Sequence, residues 1–455
     1  MHAATGSRDL NLALNAHKLS AFQILVVVLC ACTLMTDGFD TMAIGFVAPA
    51  IVKGWHVSRA DITPAFVLGQ IGIFLGAIFF GPLADRIGRR PVVIVCTVLF
   101  GAMSLLTARA ESITELMVFR FLTGWGLGGA LPNVIALTNE YLPERIRRLA
   151  TTLMWSGFSL GAAIAGFSVA ALITRFGWQV VFVIGGAVPL LFSLAFLLWL
   201  PESMHFLAHT KRRPDLLAKY VERIGLAGKI DLAALASVKS EPKAKRSLVW
   251  QLFTEGRASL TLLLWVILFA NLLALNLLAN WLPTLLRDAG LVIEKAALVT
   301  SVYQVGGLIG AIVLGWLMDH FKPFRVLVLN YAIAFVCVVG VGISGGQMSL
   351  LYTCAFIAGF TVIGGICASG VLAADSYPAW IRATGMGWAL GIGRIGAIVG
   401  PAIGGIAISQ HVSIGSFYSV GALPMLFAAV ASWLIHVRRT RRANEKSEEY
   451  ALEAR

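Results

Sequence analysis

Charge is what this sequence has least of: 13% of its 455 residues are Asp, Glu, Lys or Arg, where an average soluble domain carries about 25%. Hydrophobic residues make up 58%. So few charges cannot cover the surface of a soluble protein of this size. The cysteines are equally uninformative as chemistry. There are six, Cys30, Cys32, Cys96, Cys337, Cys354 and Cys367, all inside apolar runs and without a Cys-x-x-Cys pair, which argues against a disulfide framework or a thiolate metal site. His205 and His209 stand four apart but have no third ligand nearby, so they read as solvated surface rather than a metal site. No nucleophile constellation and no sizeable soluble domain is present, so an enzyme is not expected and neither is a cofactor. The polar start lacks the short apolar core and small-residue cleavage site of a signal peptide; it is expected to be a cytoplasmic lead-in.

What is abundant is apolar sequence in long pieces. Runs near the twenty residues needed to cross about 30 Å of hydrocarbon fall at roughly 22–51, 63–84, 91–108, 113–139, 149–172, 179–200, 259–285, 296–317, 324–344, 349–374, 382–408 and 417–437. These predict twelve spans, with both termini on one side. The net charge of +13 suggests nucleic acid until its distribution is read. Placing the amino terminus, the even-to-odd loops and the carboxyl tail on one face collects 28 of the 36 Lys and Arg there; six lie on the other face and two, Arg120 and Arg394, inside spans. Without the long central loop the ratio is still 17 to six. By the positive-inside rule that face is cytoplasmic. The partner of the basic residues is then a lipid bilayer, not nucleic acid.

A polar connection separates six spans from six. The expected organisation is an amino-terminal segment (1–21), a first bundle (22–200), a central loop (201–258), a second bundle (259–437) and a tail (438–455). Local sequence repeats between the bundles. Gly81-Pro-Leu-Ala-Asp85 recurs as Gly315-Trp-Leu-Met-Asp319, and Glu140-Tyr-Leu-Pro143-x-x-Ile-Arg147 recurs as Asp375-Ser-Tyr-Pro378-x-x-Ile-Arg382. The two recurrences share one offset along the chain, to within a single position. Two motifs in one order at nearly one offset match parallel repeats of six helices each, the architecture of the major facilitator fold, whose substrate site lies between the halves near the midplane. The fold class expected is an all-α membrane protein of twelve transmembrane helices in two six-helix parallel-repeat halves.

The loop Gly81-Pro-Leu-Ala-Asp85-Arg86-Ile-Gly88-Arg89-Arg90 resembles the signature loop of the major facilitator superfamily. Asp37-Gly38-Phe39-Asp40 in span one, Arg120 to Asn133 with its glycines in span four, and Gly393-Arg394-Ile-Gly396 through Gly400-Pro401 in span eleven together resemble the aromatic acid:proton symporter family. That resemblance covers the whole chain. It implies uptake of benzoate-like or hydroxybenzoate-like anions with protons. Pro201-Glu202-Ser203 is shared with sugar porters and discriminates little. One departure is that Gly315 to Pro323 lacks the Arg-rich end of its counterpart.

The residues themselves support transport of an anion and a proton. Asp37, Asp40, Arg120 and Arg394 lie inside spans, where a charge at the centre of a lone helix costs roughly 2.5–3.5 kcal/mol on insertion scales. Asp can take up a proton, whereas Arg does not give one up. At about 1.5 Å per residue, Asp37 lies roughly 21 Å from the cytoplasmic end of its span and Arg120 roughly 10 Å from the external end of its own. In a core of about 30 Å those depths nearly coincide, so Asp37 is expected to face Arg120. A carboxylate beside a guanidinium favours its charged form; one that loses its partner in an apolar cavity favours the neutral acid. The alternative is a permanent ion pair that only joins two helices.

Arg394 sits near the midplane, in a half whose spans hold no acidic residue of their own. A carboxylate would satisfy its planar fork, which makes it a candidate substrate anchor; pairing with Asp40 or a backbone carbonyl is the alternative. Asn271 stands at the repeat position of Asp37, and Asn276, Tyr303 and Gln304 lie at similar depths. They are candidates for hydrogen bonds to substrate, or else interhelical glue. Phe39 and Trp155 are preferred among the aromatic residues that could stack on a ring, over Trp125, Phe158 and Trp388. The loop charges Asp85, Arg89, Arg90, Glu140, Arg147, Asp319, Asp375 and Arg382 read as gate charges, or as ordinary helix-end charges with topological value only. Gly124-Trp-Gly126-Leu-Gly-Gly129 and Gly391-Ile-Gly393-Arg-Ile-Gly396 fit a dinucleotide fingerprint by spacing but lie inside spans rather than after a strand; there they permit close helix crossings.

These readings converge on a proton-coupled secondary transporter that imports an aromatic carboxylate by alternating access and works as a monomer. An efflux antiporter or another organic-anion facilitator is the alternative within transport, disfavoured by Arg394. A non-transporting membrane sensor is the alternative outside it.

Overall fold

The computed structural model describes residues 19–210, 213–226, 249–254, 257–344, 347–377 and 381–453. It is helical throughout its spans. The first six long helices are α1 (Ala21–Trp55), α2 (Thr63–Ile87), α3 (Arg89–Thr107), α4 (Ile113–Tyr141), α5 (Glu144–Phe176) and α6 (Gln179–Trp199). Two short helices follow, α7 (Met204–Thr210) and α8 (Pro214–Ile224). The second set is α9 (Ala258–Asp288), α10 (Ile293–His320), α11 (Pro323–Ile343), α12 (Met348–Ser376), α13 (Arg382–Ser409) and α14 (Ile414–Glu453). Among the described residues, eleven helices are long and apolar enough to cross a membrane. The exception among the twelve expected is α4. Its 29 residues are long enough, at about 1.5 Å each, but Glu115, Arg120, Asn133 and Glu140 together with its glycines lower its hydropathy. The helix at the fourth position is less apolar because its residues do more than face lipid.

Two compact units emerge, Met1–Val47 with Pro64–Lys243 and Ala48–Thr63 with Ala244–Arg455. The carboxyl end of α1 and the turn after it thus group with the second set of helices. Arg59 pairs with Asp288 at 2.5 Å, and Gly405 of α13 has no room for a side chain because Thr63 lies against it.

The repeat read from two motifs extends into the helix crossings of each unit. In the first, Gly72 and Gly76 lie against the backbone carbonyls of Phe121 and Trp125, and Gly124 against that of Gly69. In the second, Gly306 and Gly310 lie against the carbonyls of Phe356 and Phe360, and Gly359 against that of Tyr303. Each glycine of the first set maps onto its counterpart in the second by the offset of the two motifs. A methyl group at any of these positions would strike backbone, so small residues set how closely α2 meets α4 and α10 meets α12. In-helix prolines repeat too: Pro49 with Pro283 and Pro189 with Pro424.

Local signals explain several ends. Ser20 and Gln23 form a reciprocal capping box at the start of α1, and the Ser112 hydroxyl accepts from Glu115 N to start α4. The central connection is less polar than its sequence suggests. Leu207, Leu217, Tyr220, Val221 and Ile224 of α7 and α8 are buried against Val26, Leu29 and Met154, with the Phe22 and Tyr220 rings stacked at 5.9 Å. Residues 227–248 lie outside the described residues. The expected tail continues the last span as helix, since α14 runs to Glu453.

Candidate functional site

The most buried chemistry is a polar network in the first unit. Arg120 Nη1 donates to Asp40 Oδ2 at 2.9 Å; Asp40 is 0% exposed and Arg120 4%. The other oxygen of Asp40 accepts from the Ser104 hydroxyl at 2.6 Å. Arg120 Nη2 donates to Thr107 Oγ1 at 3.1 Å and to Thr123 Oγ1 at 3.0 Å, and the guanidinium carbon lies 4.8 Å from the centre of the Phe182 ring. Helices α1, α3, α4 and α6 thus each contribute to one charge pair. Arg120 Nε remains buried with no hydrogen-bond partner. Removing both charges from water is tolerable only because neighbours satisfy the remaining donors and acceptors.

The depth count put Asp37 opposite Arg120, but the ion pair closes on Asp40, one turn further along α1. Asp37 accepts from the Thr41 hydroxyl at 2.9 Å and is 7% exposed. The pair Asp37 and Asp40 is therefore split, one carboxylate clamped between four helices and the other at a slightly more open position. Phe39 is buried and packs over Gly185 beside Ser104. Trp155 is half-buried, tilted against Phe158 at 6.3 Å. Trp125 packs on Phe79 and Phe80, and Trp388 stacks on Trp265 at 6.0 Å.

The second unit holds amides and phenols where the first holds charges. Asn271 Nδ2 donates to the Tyr331 hydroxyl at 3.0 Å, which lies 3.3 Å from the Gly365 carbonyl. Asn276 Nδ2 instead bonds Leu272 O of its own helix at 2.9 Å. Tyr303 and Gln304 are buried side by side on α10, and the Tyr303 hydroxyl, Gln304 Nε2 and Asn271 Oδ1 have no hydrogen-bond partner. Each such group costs about 1–3 kcal/mol unless something satisfies it. Arg394 is half-buried on α13.

A third cluster forms at the corner between α2 and α3. Gly88 adopts φ 103°, a turn that favours glycine, and a side chain there would strike the Glu202 carboxylate. Glu202 Oε1 accepts from Arg89 N at 2.8 Å, Arg90 N at 3.2 Å and Ser203 N at 2.8 Å. It therefore supplies the cap that α3 lacks locally. Arg89 forms an ion pair with Glu140, whose other oxygen accepts from the Ser203 hydroxyl at 2.6 Å. Arg90 Nη2 donates to Leu197 O at 2.6 Å. Arg147 Nε donates to Leu142 O at 2.8 Å, and Asp85 is exposed. The side chains of Asp319, Asp375 and Arg382 lie outside the described residues.

Sequence reasoning brought Arg89, Arg90 and Glu140 to this corner but passed over Glu202, Ser203, Ser104, Thr107 and Thr123. Glu202 had a signal, the Pro-Glu-Ser string. Hydroxyl residues inside spans had none that separates them from those bonding their own helix.

Comparison with known proteins agrees with the architecture. Residues 29–379 match the profile of the Major Facilitator Superfamily. The chain is 40% identical to a gallate transporter of Pseudomonas putida, covering 91% of this chain and 92% of that protein. It is 41% identical to the 4-hydroxybenzoate transporter PcaK of the same species, covering 87% and 88%. Among solved structures, the xylose transporter XylE of E. coli in a partially occluded inward open conformation superposes with a TM-score of 0.70 at 15% identity, over 91% of this chain and 98% of that one. The protein is a transporter rather than an enzyme, and the chain belongs to the Major Facilitator Superfamily and, within it, to the aromatic acid transporters.

Proposed function

We propose that this protein imports a benzoate-type or hydroxybenzoate-type anion together with protons across the bacterial inner membrane, by alternating access, with both termini cytoplasmic. The observation that carries this reading is the near-complete coverage of relatives named for gallate and 4-hydroxybenzoate by a chain that buries a carboxylate and guanidinium pair in one unit. Asp40 and Arg120 form the fixed part of the coupling site, and Asp37 takes and releases the proton from its more open position. In the second unit Arg394 anchors the carboxylate. Tyr303 and Gln304, with buried polar groups that lack partners, meet the ring hydroxyls or the carboxylate. Asn271 and Asn276 shape that wall through their bonds to Tyr331 and Leu272, and Phe39 and Trp155 are the aromatic neighbours of the path. Arg89 with Glu140, and Arg90, Asp85 and Arg147 beside them, form the cytoplasmic gate of the first repeat; Asp319, Asp375 and Arg382 are their counterparts in the second. The working unit is the monomer.

The test is uptake of radiolabelled benzoate, hydroxybenzoates and gallate by cells expressing the chain, with and without a protonophore. Accumulation of at least one of these acids that collapses with the protonophore is expected. Accumulation unaffected by the protonophore removes the proton from the mechanism, and active extrusion of the acid reverses the direction.

A further inference from the structure

The repeat offset places a cationic corner in the second unit where the first unit has a closed ion network. In the first, the Glu202 carboxylate caps the start of α3 by accepting from Arg89 N and Arg90 N. The offset of the second motif puts Arg325 where Arg90 stood, and that of the first, one position shorter, puts His436 where Glu202 stood, with Val437 beside it. There Arg325 Nε donates to His436 Nε2 at 3.1 Å. Arg always keeps its proton, so the imidazole accepts with a lone pair and brings no negative charge. Among the described residues, no carboxylate pairs with the cations of this corner. Lys322 caps α11, Arg325 lies one turn in, and Arg438 follows His436, with Lys322, Arg325 and Arg438 all exposed. The sequence continues as Arg438-Arg439-Thr-Arg441-Arg442, and Asp319 is the one acidic residue between Glu294 and Asp375.

What lies below this corner distinguishes one anion from another. Residues four and three apart share a helix face, so Leu329 lies under Arg325 and Trp433 under His436. Leu329 is 63% exposed and Trp433 52%, on helices α11 and α14 that pack together and are each long and apolar enough to span a bilayer. A cluster of cations thus tops a strip of exposed apolar side chains. A soluble anion would meet only the cations, whereas a phospholipid uses both parts, and basic clusters next to a spanning helix attract anionic headgroups. We propose that this corner binds an anionic phospholipid, its phosphate held by Lys322, Arg325 and Arg438 and its acyl chains lying along Leu329 and Trp433. The site is separate from the residues assigned to substrate and proton.

Native mass spectrometry of the full-length protein, titrated with phosphatidylglycerol or phosphatidylcholine, tests it. Wild type should retain phosphatidylglycerol in preference to phosphatidylcholine. Lys322→Gln combined with Arg325→Gln should weaken phosphatidylglycerol binding by roughly 25-fold, given about fivefold per basic residue near an anionic surface. His436→Glu puts a carboxylate beside Arg325, as Glu202 stands at the first corner, and should lower it about fivefold, with an unchanged melting midpoint showing that the fold is intact. Equal binding of the two lipids by wild type overturns the proposal, as does an undiminished preference in folded His436→Glu protein. A millimolar excess of inorganic phosphate should leave lipid binding unchanged; displacement by it would assign the corner to a soluble anion instead.

Discussion

The two repeats use the same scaffold for different chemistry. Gly72, Gly76 and Gly124 set helix crossings in the first unit as Gly306, Gly310 and Gly359 do in the second. Yet at the offset that carries Gly72 to Gly306, Asp37 becomes Asn271, Asp40 becomes Ala274, Ser104 becomes Val338 and Thr107 becomes Val341, and at the offset that carries Gly124 to Gly359 on the same helix Arg120 becomes Ala355. Each of these charged and hydroxyl members of the buried network is thus replaced by an amide, a small residue or an aliphatic one. Close helix crossings depend on volume and tolerate duplication. A buried ion pair depends on all its partners at once, because removing one leaves a charge with nothing to offset its desolvation. The charges and hydroxyls of the network are therefore present together in one repeat and lost together from the other.

The sharpest way to break that comparison is to remove one side of the pair. Arg120→Gln leaves the Asp40 carboxylate buried with only Ser104, and about 3–5 kcal/mol of stability should be lost, read as a large drop in the thermal unfolding midpoint in detergent. Ala355→Gly at the equivalent position in the second unit should cost far less, about 1 kcal/mol. Pairing Arg120→Gln with Asp40→Asn removes both charges and should recover most of the midpoint without recovering proton-driven accumulation. A single variant as stable as wild type would mean the pair is not closed in the membrane.

Next in size is the functional loss at Asp37. Asp37→Asn mimics the protonated acid, so it should abolish accumulation against a gradient while keeping substrate-for-substrate exchange in preloaded proteoliposomes. Exchange need not return an empty, deprotonated carrier. If this variant still concentrates substrate under an imposed pH gradient, the coupling proton sits elsewhere, with Asp40 as the next candidate.

Arg394→Lys sharpens the contrast from the other side. It keeps the charge of the second unit but replaces a planar fork with a point ammonium, which cannot bind a carboxylate bidentately. Most uptake should disappear while the unfolding midpoint holds. Wild-type affinity and flux in correctly inserted protein would take Arg394 out of the substrate site.

Much of this was legible before any coordinates. Span positions follow from hydropathy over twenty residues, and the repeat from two motifs at one offset, because both signals are local. The identity of the ion pair was not. Counting at about 1.5 Å per residue locates a side chain to within about a turn, and Asp37 and Asp40 differ by less than that. The count also says nothing of which helices stand beside α1, so Ser104 on α3 and Phe182 on α6 had no sequence signature. Glu202 escaped for a related reason. Its targets are the backbone N–H groups of Arg89 and Arg90, more than a hundred residues away, and backbone donors look alike in every sequence.

The smallest expected effects separate two tyrosines of the second unit that sequence alone treats as equals. Tyr331 accepts from Asn271 Nδ2 and lies within reach of the Gly365 carbonyl. It acts as a tie between α9, α11 and α12. Tyr331→Phe should therefore lower stability by about 0.6 kcal/mol, the average for interhelical hydrogen bonds in a membrane, and leave KM unchanged. Tyr303 has a buried hydroxyl with no partner, so Tyr303→Phe removes an uncompensated group and should not lower stability. If that hydroxyl meets a ring hydroxyl of the substrate, one neutral hydrogen bond of about 1 kcal/mol is lost on binding. KM for 4-hydroxybenzoate should then rise about fivefold while KM for benzoate stays put. Equal shifts for both acids would place Tyr303 among the ties, and a shift in Tyr331→Phe alone would exchange the two roles.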